Sequence, residues 1–210
     1  SFLKSTTIDD IRRLCRILLG KSIGLVLGGG GAKGFAHIGI IRALEEHGIR
    51  PDIVGGTSMG AYFAACYARD PSFLSLYGPG KYFSSRMCST WRRLMDLTFP
   101  YTAIFTGHSF NKGIWAVFKD TKIEDLWLNF FCVSTNITRY RLEVHQKGYL
   151  WRFVRASMTL AGYLPPMNEN GDMLVDGGYL NNLPADIMQQ FGASFIIACD
   201  VGAQADSSPV

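Results

Sequence analysis

The chain has 210 residues, of which 48% are hydrophobic and 18% charged, a composition that predicts one globular domain with a buried core. No uncharged stretch is continuous enough for a transmembrane helix, the N-terminus lacks a signal peptide, and the scattered cysteines and histidines predict reduced thiols and no metal site. The net charge of +4 is accompanied by no nucleic-acid recognition motif, so we expect no nucleic-acid partner.

The first predicted element is an amphipathic helix at Ile8–Leu19, with Gly20 as its stop. Its apolar residues recur at helical spacing on one face, and we expect this helix to pack on the domain. The basic face leaves contact with a membrane surface as the alternative. We expect residues 1–20 to form this helix and a linker, residues 21–202 the main domain, and residues 203–210 a polar tail.

Strands and helices alternate in the next part of the chain. They are predicted at Ser22–Leu27 (strand), Phe35–His47 (helix), Asp52–Gly55 (strand) and Met59–Tyr67 (helix). The second of these helices is apolar nearly all round, which predicts that it is buried. Alternation at this spacing predicts a parallel sheet covered by helices on both faces, and therefore an α/β fold.

The stretch from Asp70 to Asp120 is rich in aromatic residues and is predicted to be irregular. The elements expected after it are a strand at Trp127–Asn136, a hairpin-like pair or the start of a helix at Tyr140–Gln146 and Gly148–Phe153, a small-residue loop at Arg155–Pro166, a short strand at Met173–Val175, a helix at Pro184–Phe191 and a final buried strand at Ser194–Asp200.

Basic residues are concentrated between Pro71 and Met95, where no acidic residue occurs and aromatic residues are frequent. The cations are Lys81, Arg86, Arg92 and Arg93. This combination suits an anionic or zwitterionic lipid surface. An ordinary solvated loop with a few apolar anchors explains the pattern equally well.

A glycine-rich loop lies between the first strand and the helix that follows it. It runs Gly28, Gly29, Gly30, Gly31, Ala32, Lys33, Gly34. Glycines allow several backbone N–H groups to point into one concavity, and the helix N-terminus adds positive potential, so the loop predicts an anion or oxyanion site. A dinucleotide fingerprint would require an acid after the second strand, but Asp52 precedes that strand. A P-loop would require Ser or Thr directly after Lys33, where Gly34 stands.

The second motif is Gly-x-Ser-x-Gly, formed by Gly56, Ser58 and Gly60 between the second predicted strand and its helix. In this context the motif predicts a nucleophile elbow, in which the serine occupies a sharp turn at the helix N-terminus. The flanking glycines allow the strand and the helix to approach closely. We therefore interpret Ser58 as a nucleophile.

The serine needs a base, and no histidine follows Asp176 as the chain order of an α/β-hydrolase triad would require. We expect the four histidines to be surface or packing residues; they are His37, His47, His108 and His145. Asp176 follows a short apolar stretch and precedes Gly177 and Gly178, so it ends a strand in a tight turn. A carboxylate there can accept the serine proton directly, and burial would raise its pKa while oxyanion donors oppose the rise.

The order of these three motifs resembles that of the patatin-like phospholipases, which use a Ser–Asp dyad. The resemblance covers Lys21 to Gly202. Four stretches are similar to the neuropathy target esterase and fungal lysophospholipase branch of that family. They are Gly24–Gly31, Ile123–Trp127, Val154–Pro166 and Asp176–Pro184.

The resemblance implies a three-layer α/β/α fold with a mainly parallel central sheet and a nucleophile elbow. It implies a catalytic domain that hydrolyses acyl esters of lysophosphatidylcholine and phosphatidylcholine at the cytosolic face of the endoplasmic reticulum, with phospholipid and membrane surface as partners and no cofactor. Ser58 and Asp176 would be catalytic. The oxyanion hole would consist of Gly29, Gly30 and Gly31, and the supporting motif residues would be Lys33, Gly34, Gly56, Gly60, Gly177 and Gly178.

The chain departs from the common family pattern at three positions. Many members have Asp in place of Gly28, Arg in place of Lys33, and Asp in place of Asn136. Lysine keeps the charge but loses the forked donors of arginine. The basic aromatic stretch, residues 73–105, is expected to line the acyl channel or to dock at the membrane. An acyltransferase that uses the same dyad and a non-catalytic lipid-binding domain are the alternative functions.

Overall fold

The computed structural model describes residues 2–87 and 103–202. The α-helices are α1 Phe2–Leu18, α2 Ala36–Glu46, α3 Met59–Arg69, α4 Phe73–Met87, α5 His108–Phe118, α6 Leu150–Ser157 and α7 Ala185–Gln190. The strands are β1 Ile23–Leu27, β2 Ile53–Gly56, β3 Asn129–Asn136, β4 Arg141–His145, β5 Met167–Glu169, β6 Asp172–Asp176 and β7 Phe195–Cys199. The alternating strands and helices predicted at the start of the domain are present, with bounds that differ by a few residues.

One seven-stranded sheet organises the fold, in the order β5-β6-β3-β2-β1-β7 with β4 paired to β3. Its centre is parallel, since β2 and β7 both pair with β1, and β3 with β2, in the same direction. Strands β4, β5 and β6 are antiparallel additions. The predicted α/β fold with a mainly parallel central sheet is confirmed.

The length of β3 places the end of β6 beside the end of β2. Cys132 pairs with Gly56 of β2 on one edge of β3 and with β4 on the other, whereas Ser134 pairs with β4 and with Asp176 of β6. Strand β6 therefore continues along the edge that β2 occupies up to Gly56. Because β6 is antiparallel, it brings Asp176 down to the point where the chain leaves β2.

Helices cover both faces of the sheet, but unequally. One face packs against α3 and the helices around it, and every residue of α3 from Met59 to Ala68 is buried. The opposite face packs against α7, where Ile187 and Met188 contact Val26 and Phe131. The three-layer α/β/α arrangement and the buried second helix are both confirmed.

The prediction of an irregular stretch from Asp70 to Asp120 is wrong, because this stretch contains α4 and α5. Helix α4 includes Pro79 within its span, flanked by two glycines, and this interrupts the periodic pattern by which a helix is recognised. The Tyr62 hydroxyl donates a hydrogen bond to the Pro79 carbonyl, so tertiary packing supports the helix at this point. Residues 88–102, including Arg92 and Arg93, lie outside the described residues, as does the side chain of Arg86.

Two expectations for the second half of the chain also require correction. Of the two alternatives for Gly148–Phe153, the start of a helix is right, and this helix continues to Ser157 into the predicted loop. Strand β7 is not fully buried, because it lies at the edge of the sheet and Phe195 is 63% exposed. A short apolar run does not distinguish a central strand from an edge strand.

Helix α1 packs on the domain as expected, and it does so through its polar face. Arg16 forms an ion pair with the buried carboxylate of Asp52, and Arg13 donates to the Trp127 carbonyl. The residues left exposed are Ile8, Ile11, Leu14, Leu18 and Leu19. Asp52 and Trp127 precede β2 and β3, so α1 lies at the amino ends of the central strands.

Within residues 2–87 and 103–202, no helix is both long and apolar enough to cross a bilayer.

Candidate active site

The glycine-rich loop follows β1 and is held by the opposite end of the chain. The Gly28 amide donates to the Cys199 carbonyl, and the Gly29 amide donates to the Asn182 carbonyl at 3.1 Å. The Asn182 side chain donates back to the Gly29 carbonyl at 3.0 Å. Among the described residues, the amides of Gly30 and Gly31 have no such acceptor, so both are available to an anion.

Ser58 occupies the sharp turn between β2 and α3, where its φ of 54° and ψ of −123° are unusual for a residue with a side chain. The turn requires its glycines, because the helix runs very close to β1. A Cβ atom on Gly56 would lie 2.4 Å from the Leu27 carbonyl oxygen, and one on Gly60 would lie 2.0 Å from the same atom. This close approach is the physical reason for the Gly-x-Ser-x-Gly pattern.

Asp176 is the hydrogen-bond partner of the serine. The Ser58 hydroxyl donates to Asp176 Oδ2 at 2.7 Å, and the Gly178 amide donates to Oδ1 at 2.8 Å. Asp176 is only 4% exposed. Burial raises the pKa of Asp176 above its ordinary value, and the hydrogen bonds from Ser58 and Gly178 partly oppose this rise. The higher pKa makes the carboxylate a stronger base than an exposed aspartate.

These residues share one open cleft, whose walls also include three residues that the motifs did not single out. The cleft is lined by Gly29, Gly30, Gly31, Ser58, Leu160, Asp176, Gly178, Tyr179 and Asn182. Of the supporting residues, Gly177 lies against β3, where a Cβ atom would approach the Val133 carbonyl to 2.4 Å. The sequence motifs therefore meet at one end of the sheet.

Lys33 and Gly34 stand apart from the cleft. Both belong to the short 3-10 helix Gly31–Phe35, and Lys33 is exposed. Gly34 is buried against the elbow helix, where a Cβ atom would lie 2.4 Å from Met59 Cγ. The role of Gly34 is thus to let the glycine-rich loop pack on α3, and Lys33 does not line the cleft.

None of the four histidines, all of which lie in the described ranges, forms a hydrogen bond with Ser58 or Asp176. Buried His37 bonds the Gly28 carbonyl through Nε2 at 2.9 Å, and its pKa is lowered by burial. His145 bonds Ser134 at 2.6 Å, and burial lowers the pKa of His145 to about 4. Both imidazoles are therefore neutral at pH 7. A Ser–His–acid triad finds no support in this arrangement.

Metal-ligating side chains and two fully buried thiols are further reactive groups in the described part of the chain. No group of three or more His, Cys, Asp or Glu side chains there could hold a metal ion. The thiols of Cys66 and Cys132 are fully buried, and burial raises the pKa of both, so neither is a thiolate at neutral pH.

Two residues that support the site were not identified in the sequence analysis. The Ser157 hydroxyl oxygen accepts a hydrogen bond from the Ser58 amide at 2.9 Å. Asn182 forms two hydrogen bonds with Gly29, one through its carbonyl and one through its side-chain amide. Asn182 closely follows the Asp-Gly-Gly turn, and its nearness to that motif could have identified it as a site residue. Ser157 lies in a segment predicted to be a loop, and only the tertiary fold shows that it faces the elbow.

This geometry allows a defined chemistry. Ser58 can transfer its proton to Asp176 while its oxygen attacks a carbonyl carbon, and the amides of Gly30 and Gly31 are free to bind the resulting oxyanion. A serine on a strained strand–helix turn, hydrogen-bonded to a buried aspartate, is the arrangement that a serine hydrolase with a Ser–Asp pair would require. The chain belongs to the patatin-like phospholipase family, since a sequence profile of that description matches residues 25–188.

Curated relatives are similar over almost the whole chain. The protein named "Lysophospholipase NTE1" of Yarrowia lipolytica is 54% identical over 206 residues, which is 98% of this chain and 14% of that protein. The protein of the same name from Saccharomyces cerevisiae is 53% identical over 202 residues, 96% of this chain and 12% of that protein. The chain therefore spans about one seventh of the length of these relatives.

A solved structure supports the fold assignment. VipD from Legionella pneumophila matches with a TM-score of 0.55 and 20% sequence identity, over 78% of this chain and 47% of that chain.

Proposed function

We propose that this chain is the catalytic domain of a lysophospholipase, in which Ser58 is the nucleophile and Asp176 is its general base. The observation that carries the proposal is the 2.7 Å hydrogen bond from the Ser58 hydroxyl to a carboxylate that is almost fully buried. Fungal proteins more than half identical to the chain carry the name lysophospholipase, which supports this substrate class.

In the proposed mechanism, Asp176 takes the proton of Ser58 as its oxygen attacks the ester carbonyl. The amides of Gly30 and Gly31 stabilise the tetrahedral oxyanion, because they have no competing acceptor among the described residues. The Gly29 amide, which the family resemblance assigned to the same oxyanion hole, donates to the Asn182 carbonyl and contributes by holding the loop. Asp176 then protonates the leaving alcohol, and water activated by the same carboxylate releases the fatty acid.

Ser58→Ala is expected to abolish fatty-acid release from lysophosphatidylcholine, because the acyl-enzyme cannot form without the hydroxyl. The measurement is free fatty acid released from lysophosphatidylcholine by the wild-type chain and by the variant, together with labelling by a fluorophosphonate probe. The wild type should release fatty acid and be labelled, and the variant should do neither. Labelled protein that releases no fatty acid would refute the substrate class, and absence of labelling would favour a non-catalytic lipid-binding domain.

We also propose that the cleft opens toward a phospholipid surface, at the cytosolic face of the endoplasmic reticulum. Leu160 and Tyr179 line the cleft and are about half exposed, and the neighbouring Tyr163 and Leu180 are each 56% exposed. Aromatic and aliphatic side chains in this combination suit the interfacial region of a bilayer. A lipid whose ester must reach Ser58 would approach across this apolar rim.

Helix α4 extends the same surface. Its first residue, Phe73, donates to Glu45 at the end of α2, and Gly80 packs against Ile38 near the start of α2. Helix α4 therefore runs antiparallel to α2, and its C-terminal half lies toward the end of the sheet that carries the cleft. Lys81 and Tyr82 are exposed on this C-terminal half. Lys81 is the one cation of the basic aromatic stretch whose side chain lies among the described residues, and its charge suits anionic or zwitterionic headgroups.

The double substitution of Tyr163 and Leu180 by serine is expected to weaken binding to phosphatidylcholine vesicles by about tenfold, because two apolar contacts are lost. Hydrolysis of a short soluble ester should change by less than about twofold. Vesicle sedimentation measures the first quantity and ester turnover the second.

The matched control is the double substitution of Ile11 and Leu18 by serine, at the opposite end of the central strands. These side chains are 56% and 75% exposed, so the loss of apolar surface is comparable. The control should bind vesicles as the wild type does. If only the control lost vesicle binding, α1 rather than the cleft would face the bilayer.

A further inference from the structure

The C-terminal end of α6 contacts both members of the proposed dyad. The Ser157 hydroxyl oxygen accepts the Ser58 amide at 2.9 Å, and Ser157 is fully buried. Two residues further on, the Thr159 carbonyl accepts the Asp176 amide at 2.8 Å. One short segment therefore holds the backbone of the nucleophile and the backbone of its base at the same time.

We propose that Ser157 is a positioning residue for the reaction, whose buried hydroxyl fixes the backbone of Ser58 so that its own hydroxyl points at Asp176. The inference rests on the proposed function of Ser58 as the nucleophile. Ser157 does not contact the reacting atoms, and it acts through the Ser58 amide.

The conformation of Ser58 explains why such support is needed. With φ of 54° and ψ of −123°, Ser58 occupies a region that residues with a side chain rarely adopt, and such a conformation persists only where the surroundings fix it. Its amide precedes α3 and has no acceptor inside that helix. Ser157 provides the acceptor, and without it a partly buried N–H group would lose its partner, which favours relaxation of the turn.

The segment that carries Ser157 is itself firmly held. Arg155, which is 1% exposed, donates to Asn111 of α5 at 2.6 Å and also bonds the Thr159 hydroxyl. Its guanidinium also lies over the Phe110 ring, 5.3 Å from the ring centroid. These contacts tie α5, the end of α6 and the start of the following loop together. A rigid anchor allows one hydrogen bond to define the position of the nucleophile.

The test compares Ser157→Ala with Ser22→Ala. Ser22 is also buried, at 3% exposure, and makes one side-chain hydrogen bond of 2.9 Å to the Gly192 carbonyl, but it precedes β1 at the end of the sheet remote from Ser58. Both variants lose one buried hydroxyl, so a purely structural role would give similar thermal midpoints and similar activities. Ser58→Ala is measured beside them to test the nucleophile itself.

For Ser157→Ala we expect kcat for lysophosphatidylcholine hydrolysis to fall about 30- to 100-fold, because a small displacement of the Ser58 oxygen slows its attack on the ester. We expect KM to stay within about twofold. The rate constant for fluorophosphonate labelling should fall by the same factor. Ser22→Ala should keep both within about twofold. Ser157→Cys, which retains a weak acceptor of similar size, should lie between Ser157→Ala and the wild type.

A kcat for Ser157→Ala within about threefold of the wild type would overturn the proposal. So would a Ser157→Cys variant no more active than Ser157→Ala, or equal activity losses in the Ser157 and Ser22 variants. If Ser58→Ala retained activity, the proposed function would fail as well. An inactive Ser58→Ala beside a normal Ser157→Ala would refute the positioning role alone.

Discussion

Asp176→Asn is expected to lower the rate of ester hydrolysis by about 10⁴-fold while the domain remains folded. The amide oxygen of asparagine can still accept the Gly178 amide, and its NH₂ group can donate to the Ser58 oxygen, so the local hydrogen bonds are kept. Asparagine cannot accept a proton, however. Ser58 would then be no more nucleophilic than a serine in water.

The raised pKa of Asp176 adds a dependence on pH with a definite sign. Because the folded state holds the Asp176 proton more tightly than the unfolded state, the protonated carboxyl group contributes stability that is fully present below the unfolded pKa and is lost as the pH rises through the folded pKa. At neutral pH the buried charge therefore costs stability. We expect Asp176→Asn to raise the thermal midpoint at pH 7, with a difference that shrinks as the pH falls through the folded pKa toward the ordinary pKa of aspartate.

Thermal unfolding and turnover measured between pH 4 and pH 8 check both effects. The wild-type rate should fall in acid with an apparent pKa above that of an exposed aspartate, because protonated Asp176 is no base. Asp172→Asn is the matched control, since Asp172 begins the same strand and pairs with Arg139 at the surface. It should retain activity within about twofold. Near-normal turnover by Asp176→Asn would assign the base to another group.

The site residues that could be predicted from sequence are those that a local turn demands. Gly56 and Gly60 flank Ser58 because any side chain at either position would collide with the Leu27 carbonyl, so the spacing itself encodes the elbow. The Asp-Gly-Gly turn is similar, since Gly177 must pass close to the Val133 carbonyl. Where two backbone segments approach this closely, only glycine fits, and the resulting residue pattern can be recognised in the sequence.

Features decided by tertiary contacts left no such pattern. Ser157 looks like any small residue in the sequence, and its role follows from the packing of α6 against the elbow. Helix α1 has an ordinary amphipathic period, but the buried carboxylate of Asp52 draws its arginine face inward and leaves the apolar face exposed. Periodicity shows that two faces differ, and it does not show which face meets the domain.

Gly60→Ala is expected to destabilise the domain by about 3 kcal/mol and to lower activity more than about 100-fold. An added Cβ atom would lie 2.0 Å from the Leu27 carbonyl oxygen and 2.6 Å from the Gly28 carbonyl oxygen, both on the backbone that leads into the glycine-rich loop. Backbone cannot move aside as a flexible side chain can. Helix α3 would have to shift, and Ser58 would move away from both Asp176 and the loop.

Gly39→Ala provides the control, because Gly39 lies within α2 and an added Cβ atom would meet nothing within 4 Å. Alanine in a helix interior is favoured over glycine, so this variant should gain about 0.5–1 kcal/mol and keep full activity. Denaturant titration gives the two free energies of unfolding, and ester turnover gives the activities. A Gly60→Ala variant as stable and active as Gly39→Ala would mean that α3 can withdraw from β1 without moving Ser58. The close approach of helix and strand would then not be what sets the nucleophile in place.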